Sequence, residues 1–85
     1  MTETRENRIK RMHMRAMRRG MKEMDIILQA YAEANLQKMS DAELDLFDQL
    51  LSEYDPDLYQ WLTGQKEGPE ELRGLIHDVS QTFQK

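Results

Sequence analysis

Cysteine is absent from this sequence of 85 residues, and glycine, proline and histidine are scarce. Without cysteine the chain can form neither a disulfide framework nor a thiolate metal site. Its two histidines, His13 and His77, lie far apart in the sequence, and this spacing argues against a zinc site. The four glycines are too scattered to form a phosphate-binding loop. We therefore expect no bound metal ion and no stably bound nucleotide cofactor.

Long apolar runs are missing as well. No segment approaches the roughly 18 apolar residues that cross a membrane, and the basic N-terminal segment lacks the apolar core of a signal peptide. This basic segment continues directly into the first predicted helix, so we assign it to the mature protein. These features predict a protein that does not insert into membranes. The expected location is the cytoplasm, with the mitochondrial matrix as the second choice.

No arrangement of side chains typical of a catalytic centre is present. The three serines lack the sequence context of a nucleophile elbow. Carboxylates are abundant, but no pair suited to acid–base catalysis can be distinguished from acidic surface residues. The sequence therefore predicts a protein without enzymatic activity.

Charge is divided unevenly along the chain. Residues 1–22 contain eight basic and two acidic residues, whereas residues 23–85 contain four basic and fourteen acidic residues. This division indicates one cationic element on an acidic body, which would bind an acidic protein, bind nucleic acid or pair with the chain's own carboxylates. The acidic body would repel a polyanion, and the aromatic residues do not alternate with the basic ones. We therefore expect no nucleic-acid partner.

Apolar residues recur at helical spacing along almost the whole chain. A first helix is predicted over about 5–18, closed by Gly20 in the left-handed conformation. Met14 and Met17 fall outside its apolar stripe, so at least one of them should be exposed. A second helix is predicted over about 21–39.

Three further helices are predicted from their start and stop signals. Ser40 opens the third with a capping box. Asp55 is predicted to cap the fourth, with a proline at its first position, and Gly64 to close it. Glu70 and Glu71 open the fifth. We therefore predict an all-α fold, a compact antiparallel bundle of five short helices, in one domain over 1–85 with 1–4 as a flexible tail.

The densest cluster of charges flanks Gly20, where one helix should end and the next should begin. Arg18 and Arg19 suit the negative end of the first helix dipole, and Glu23 and Asp25 suit the positive end of the second. Helix ends alone therefore explain these residues. The same arrangement also forms a docking site, because a tight glycine turn admits a partner's backbone while arginine and glutamate face outward beside it.

Two segments carry a resemblance to a known family. Residues 19–28, RGMKEMDIIL, resemble the RGxxE signature of the SdhE/YgfY family of succinate dehydrogenase assembly factors. Residues 54–62, YDPDLYQWL, are similar to the DPDLxxWL-like segment of the same family. The two motifs occur in the family's order within a chain of the expected length, and the resemblance covers about residues 5–83.

The resemblance implies a non-catalytic helper with a five-helix fold. Family members bind the flavoprotein subunit of succinate dehydrogenase, and in some bacteria that of fumarate reductase, and promote covalent attachment of FAD to a histidine of that subunit. By this resemblance, the chain would act on FAD in its partner without binding FAD stably itself. We expect it to be a monomer when free. The alternative functions are a generic protein-interaction module and a nucleic-acid binder that uses the basic first helix.

The resemblance also assigns site residues. The signature positions Arg19, Gly20 and Glu23 are expected to contact the partner near its flavin site. The expected neighbours in this contact are Arg18, Met21 and Asp25. From the second motif, Asp55 and Pro56 are expected to cap a helix, and Trp61 is expected to anchor the core, with partner contact as the alternative role of these residues.

Overall fold

The computed structural model describes residues 3–17 and 19–83. Within these residues there are five α-helices, two short 3-10 turns and no β-strand. The helices are α1 Arg5–Arg15, α2 Lys22–Asn35, α3 Asp41–Leu51, α4 Asp55–Leu62 and α5 Arg73–Phe83, and the 3-10 turns are Leu36–Lys38 and Glu70–Leu72. The predicted all-α fold of five helices is confirmed. The radius of gyration of 12.2 Å is close to the roughly 12 Å expected for a compact chain of this length.

All five helices contribute to one apolar core. α2 packs against α1, α4 and α5, so it lies at the centre of the bundle. Phe47 of α3 is fully buried, and its ring lies 5.5 Å from the ring of Tyr31 of α2. Trp61, predicted to anchor the core, is partly buried and packs against the edge of the core cluster.

Two helix ends defined by local sequence signals, the start of α3 and the end of α4, lie where they were predicted. The predicted end of the second helix near residue 39 and the predicted start of the fifth at Glu70 are wrong, because α2 ends at Asn35 and a 3-10 turn over Glu70–Leu72 precedes α5. Ser40 caps α3 and forms the capping box with Glu43. Gly64 has a φ of 81° and follows the end of α4. The backbone N–H groups of Gly64 and Gln65 donate to the carbonyls of Trp61 and Gln60, the two bonds of a Schellman motif. Of the tail predicted over 1–4, residues 1 and 2 lie outside the described residues, whereas Thr4 caps α1.

The end of α1 differs from the prediction. The helix ends at Arg15 and not at residue 18, and Ala16, which is fully buried, is its C-terminal cap. Gly20 does not have a positive φ, so the prediction of a left-handed closing glycine is wrong. The physical reason is that the carbonyl of Arg15 accepts a hydrogen bond from the Arg19 side chain, which closes the helix without a left-handed residue.

A ladder of ion pairs joins α1 to α3. Its members are Arg5–Asp41, Arg8–Asp45, Arg11–Asp48 and Arg15–Asp48. The first three pairs join residues 36 or 37 positions apart, and this nearly constant separation shows that α1 and α3 run in the same direction. Of the three roles considered for the cationic element, pairing with the chain's own carboxylates is the one that the structure contains.

Candidate docking site at the turn between α1 and α2

An open groove of about 660 Å³ lies between the α1–α2 turn and the start of α4. Residues 15, 17 and 19–21 line one side of it, and residues 52–56 line the other. The first residues of the two segments that carry the family resemblance, 19–21 and 54–56, therefore face each other, although they are more than 30 positions apart in the sequence.

The Arg19 side chain points into the chain and not toward solvent. Only 11% of it is exposed, and its Nε and Nη2 groups donate to Oδ1 of Asp55 at 2.8 and 2.6 Å. The expectation that this arginine faces outward is therefore wrong. The reason is that the guanidinium finds its hydrogen-bond acceptors inside the chain. These acceptors are the buried carboxylate of Asp55 and several backbone carbonyls.

Asp55 has a different role from the one predicted. Tyr54 occupies the N-cap position of α4 without a side-chain hydrogen bond, and Asp55 and Pro56 are the first two residues of the helix. Asp55 is 9% exposed, and its Oδ2 accepts the backbone N–H of Gly20 at 2.8 Å. The prediction that Asp55 caps α4 is wrong, because its carboxylate is directed toward Arg19 and Gly20. A buried charge is tolerated here because it is both paired and hydrogen-bonded.

Gly20 is exposed, and no contact with residues 3–17 or 19–83 requires a glycine at this position. A Cβ atom added to it would lie 3.7 Å from Oδ2 of Asp55, an ordinary van der Waals distance. The preceding backbone N–H, that of Arg19, donates to Oδ1 of Asp25 in the first turn of α2. Two carboxylates, Asp25 and Asp55, thus hold two successive N–H groups of the turn.

The other predicted site residues occupy different surroundings. Met21 is half-buried and lines the groove, whereas Glu23 is exposed and Asp25 half-buried, both outside the lining. Arg18 lies outside the described residues.

Two exposed apolar side chains at the groove were not assigned to the site from the sequence. Met17 is 41% exposed and Tyr54 is 71% exposed, and both line the groove. Met14 is also exposed, so the expectation for the methionines outside the apolar stripe is confirmed. The sequence contained one signal for Tyr54, namely its place between α3 and the Asp-Pro pair, outside the apolar stripe of either helix.

The arginines of α1 form ion pairs with aspartates of α3, and these ion pairs shift the pKa values of the groups involved. Hydrogen bonds from Arg11, together with the nearby charges of Arg15 and Arg8, hold the pKa of Asp48 below its ordinary value. Hydrogen bonds to Glu3 and Asp48 in turn raise the pKa of Arg11. The guanidinium groups of this ladder are therefore already bound to carboxylates of the same chain.

The described parts of the chain contain neither a candidate metal-ion site nor a candidate membrane-spanning helix. Residues 3–17 and 19–83 contain no group of three or more histidine, cysteine or carboxylate side chains suited to a metal ion. Among the helices that the structure describes, none has the length and apolar character needed to cross a membrane.

Comparison with known proteins matches residues 10–83 to the model of the Sdh5 family, described as the flavinator of succinate dehydrogenase. The chain belongs to the Sdh5 family. The match includes both walls of the groove, so the site described above lies within the matched residues.

Individual relatives come from bacteria and from fungal mitochondria. The chain is 39% identical over 59 residues to the FAD assembly factor SdhE of Legionella pneumophila (strain Lens), covering 69% of this chain and 75% of the relative. It is 39% identical over 66 residues to the protein of the same name from Coxiella burnetii, covering 75% and 79%. It is 41% identical over 68 residues to succinate dehydrogenase assembly factor 2, mitochondrial, of Mycosarcoma maydis, covering 80% of this chain but 29% of that longer protein.

Proposed function

We propose that this chain is a non-catalytic assembly factor that binds the flavoprotein subunit of succinate dehydrogenase and promotes covalent attachment of FAD to that subunit. The observation that carries the proposal is the meeting of both family motifs in one groove, within a chain matched to the Sdh5 family over residues 10–83. The flavoprotein of fumarate reductase is a second client of the same chemical class.

The surface offered to the partner combines a bare backbone with apolar and acidic side chains. Gly20 is exposed and carries no side chain, so a partner's backbone can approach it closely. Met21 lines the groove beside it, and the exposed carboxylate of Glu23 is placed to bind a basic group of the partner. Arg18 and Asp25 complete the contact region that we propose.

The assembly factor acts by binding and not by bond formation. The reacting groups belong to the partner, whose own histidine becomes bonded to its flavin. By binding best to the partner conformation in which these two groups are aligned, the chain would increase the population of that conformation. FAD stays with the partner throughout, and we propose no stable FAD site on this chain.

The paired arginines of α1 favour this function over a nucleic-acid binder. A protein that binds a polyanion needs basic groups that can release their counterions at phosphates. Here Arg5, Arg8, Arg11 and Arg15 are already bound to carboxylates of α3. A generic interaction module would use the same helix and meets the same difficulty.

We further propose a monomer in the free state and a location with the client flavoprotein. That location is the cytoplasm in a bacterium and the mitochondrial matrix in a eukaryote. A sedimentation measurement of the free chain would test the first point.

The decisive experiment mixes the purified chain with the apo flavoprotein subunit and FAD. After denaturation and removal of free FAD, the fluorescence of protein-bound flavin is measured against time, with and without the chain. The proposal predicts faster or more complete covalent attachment when the chain is present. Equal rates with and without the chain would contradict it. An equal concentration of another small acidic helical protein serves as the control.

A further inference from the structure

We propose that Arg19, the first residue of the RGxxE signature, is a positioning residue that holds the docking turn from inside and makes no contact with the partner. The inference rests on the proposed function, because it assigns a role within the same docking site. It reverses the expectation that this arginine contacts the partner.

The first argument is the saturation of the guanidinium. Arginine has five N–H donors, and the structure contains five hydrogen bonds from the Arg19 side chain to atoms of the same chain. Two go to Oδ1 of Asp55, and the others go to the carbonyls of Arg15 at 3.2 Å, Leu51 at 2.8 Å and Glu53 at 3.2 Å. A partner's carboxylate would therefore have to displace an internal acceptor.

The second argument is the identity of the acceptors. Arg15 is the last residue of α1 and Leu51 is the last residue of α3, so both carbonyls belong to helix C-termini that have no further helical partner. Such ends carry partial negative charge, which a cation stabilises. Arg19 thus satisfies the ends of two parallel helices with one side chain and connects both of them to the start of α4.

The third argument is the cost of removing Arg19 from Asp55. Only 10% of the Asp55 side chain is exposed. An arginine that turned outward to a partner would leave this carboxylate buried without its counter-charge, which is strongly unfavourable. Binding energy gained at the partner would have to offset this loss.

The carboxylate of Asp55 links the Arg19 side chain to the exposed turn at Gly20 by hydrogen bonds to both. Asp55 receives the guanidinium on Oδ1 and the backbone N–H of Gly20 on Oδ2. Asp25 receives the N–H of Arg19 itself. The arrangement fixes the backbone of the turn from behind and leaves Gly20 exposed in front. Because the turn is already fixed before binding, less conformational entropy is lost when the partner binds.

The test combines affinity for the apo flavoprotein subunit with two magnetic resonance measurements on the full chain. In the unmodified protein, the Nε–H resonance of Arg19 is recorded before and after the partner is added. A positioning role predicts the same chemical shift and slow solvent exchange in both states. A marked change of this resonance on binding would overturn the inference. This arm needs no substitution, so it does not depend on a variant that folds.

A double-mutant cycle provides the second arm. Arg19→Lys and Asp55→Asn are each expected to weaken partner binding about tenfold, and the double variant no further, since both remove one shared support. The exchange of the Gly20 amide with solvent should accelerate in all three free proteins. Arg19→Lys keeps a positive charge, so near-normal affinity in this variant would indicate that charge alone matters and would overturn the inference. The inference would also be overturned if the two single variants lost equal affinity for the partner, the losses added in the double variant, and the solvent exchange of the Gly20 amide stayed unchanged.

One control separates positioning from general destabilisation. Val79→Ala removes two methyl groups from a fully buried site in α5, away from the groove, and should lower stability without changing affinity. If the unmodified chain fails to bind the flavoprotein, the proposed function fails. The Gly20 amide measurements in the free variants then still decide whether Arg19 holds the turn.

Discussion

At the scale of a single residue, Gly20 has one side bound within the chain and one side exposed to solvent. Its N–H group is bound by Asp55, and its φ is not one that only glycine adopts. Among the residues that the structure describes, a Cβ atom here would meet only Oδ2 of Asp55, at an ordinary distance of 3.7 Å. We therefore propose that the bare backbone at this position serves the approach of a partner from outside.

Gly20→Arg tests this explanation. The helical content and the free energy of unfolding should change little, because the added side chain can extend into solvent. Covalent flavin on the partner should fall at least tenfold, because a long side chain would occupy the space of the partner's backbone. Gly74→Arg is the matched control, since Gly74 is exposed in α5 and, apart from its chain neighbours and the backbone of its own helix, no described atom lies within 4 Å of an added Cβ. Normal flavin attachment with Gly20→Arg would remove the turn from the contact site.

Tyr54 is the largest exposed apolar side chain at the groove, at 71% exposure. Large aromatic residues contribute strongly to binding when a partner buries them. We predict that Tyr54→Ala weakens binding of the flavoprotein by about tenfold and leaves the thermal unfolding temperature nearly unchanged. Ile26→Ala, at 59% exposure and outside the groove, is the control for loss of exposed apolar surface. If Tyr54→Ala and Ile26→Ala bound the flavoprotein with equal affinity, Tyr54 would not be part of the contact.

At the scale of helices, the parallel alignment of α1 and α3 depends on both apolar packing and charge. Ile9 and Met12 of α1 enter the core, while the arginines on the adjoining face of the helix reach across to α3. Each exposed pair contributes little alone, but Asp48 collects several guanidinium groups and is only 24% exposed. This aspartate is the centre of the ladder.

The lowered pKa of Asp48 predicts how stability depends on pH. Its folded-state pKa lies below the ordinary value of 3.8, so its contribution is complete above that value and is lost as the pH falls through the folded-state pKa. Asp48→Asn should therefore lower the free energy of unfolding by about 1 kcal/mol near neutral pH, and the difference should shrink toward zero in acid. Urea unfolding at several pH values measures this. Asp78→Asn, at an exposed position of α5, is the control. A difference independent of pH would contradict the prediction.

The whole molecule depends on a single small core. Phe47 is fully buried at its centre, and a chain of this size has only a few kcal/mol of stability. Loss of the ring is expected to cost about 3–5 kcal/mol, so Phe47→Ala should be largely unfolded at room temperature. Circular dichroism during thermal unfolding measures this, with Ile26→Ala as the exposed control. A loss below about 1 kcal/mol would show that another part of the chain carries the stability.

The distribution of charge over the whole molecule also has a consequence for function. The basic segment and the acidic body are opposite in sign, and in the folded chain four arginines of α1 are paired with aspartates of α3. What remains distinctive at the surface is the groove with its glycine turn and two exposed apolar side chains. Recognition by shape and apolar contact therefore fits this molecule better than recognition by net charge.

Local signals in the sequence were sufficient for most of the fold. The capping box at Ser40 and the left-handed Gly64 depend on residues within one turn, so their prediction needs no knowledge of the rest of the chain. The family resemblance likewise placed attention on Gly20 and its neighbours. Its assignment of Glu23 and Arg18 to partner contact remains a prediction.

What the sequence alone determined was the number of helices, some of their limits and the two motifs that form the site. Only the tertiary structure decided where α1 ends, which way Arg19 points and what Asp55 binds. The physical reason is distance along the chain. Arg19 and Asp55 are 36 positions apart, and their hydrogen bonds exist only after α1, α3 and α4 have packed together. The charged signature that resembles a docking element thereby includes the residue that holds that element in place.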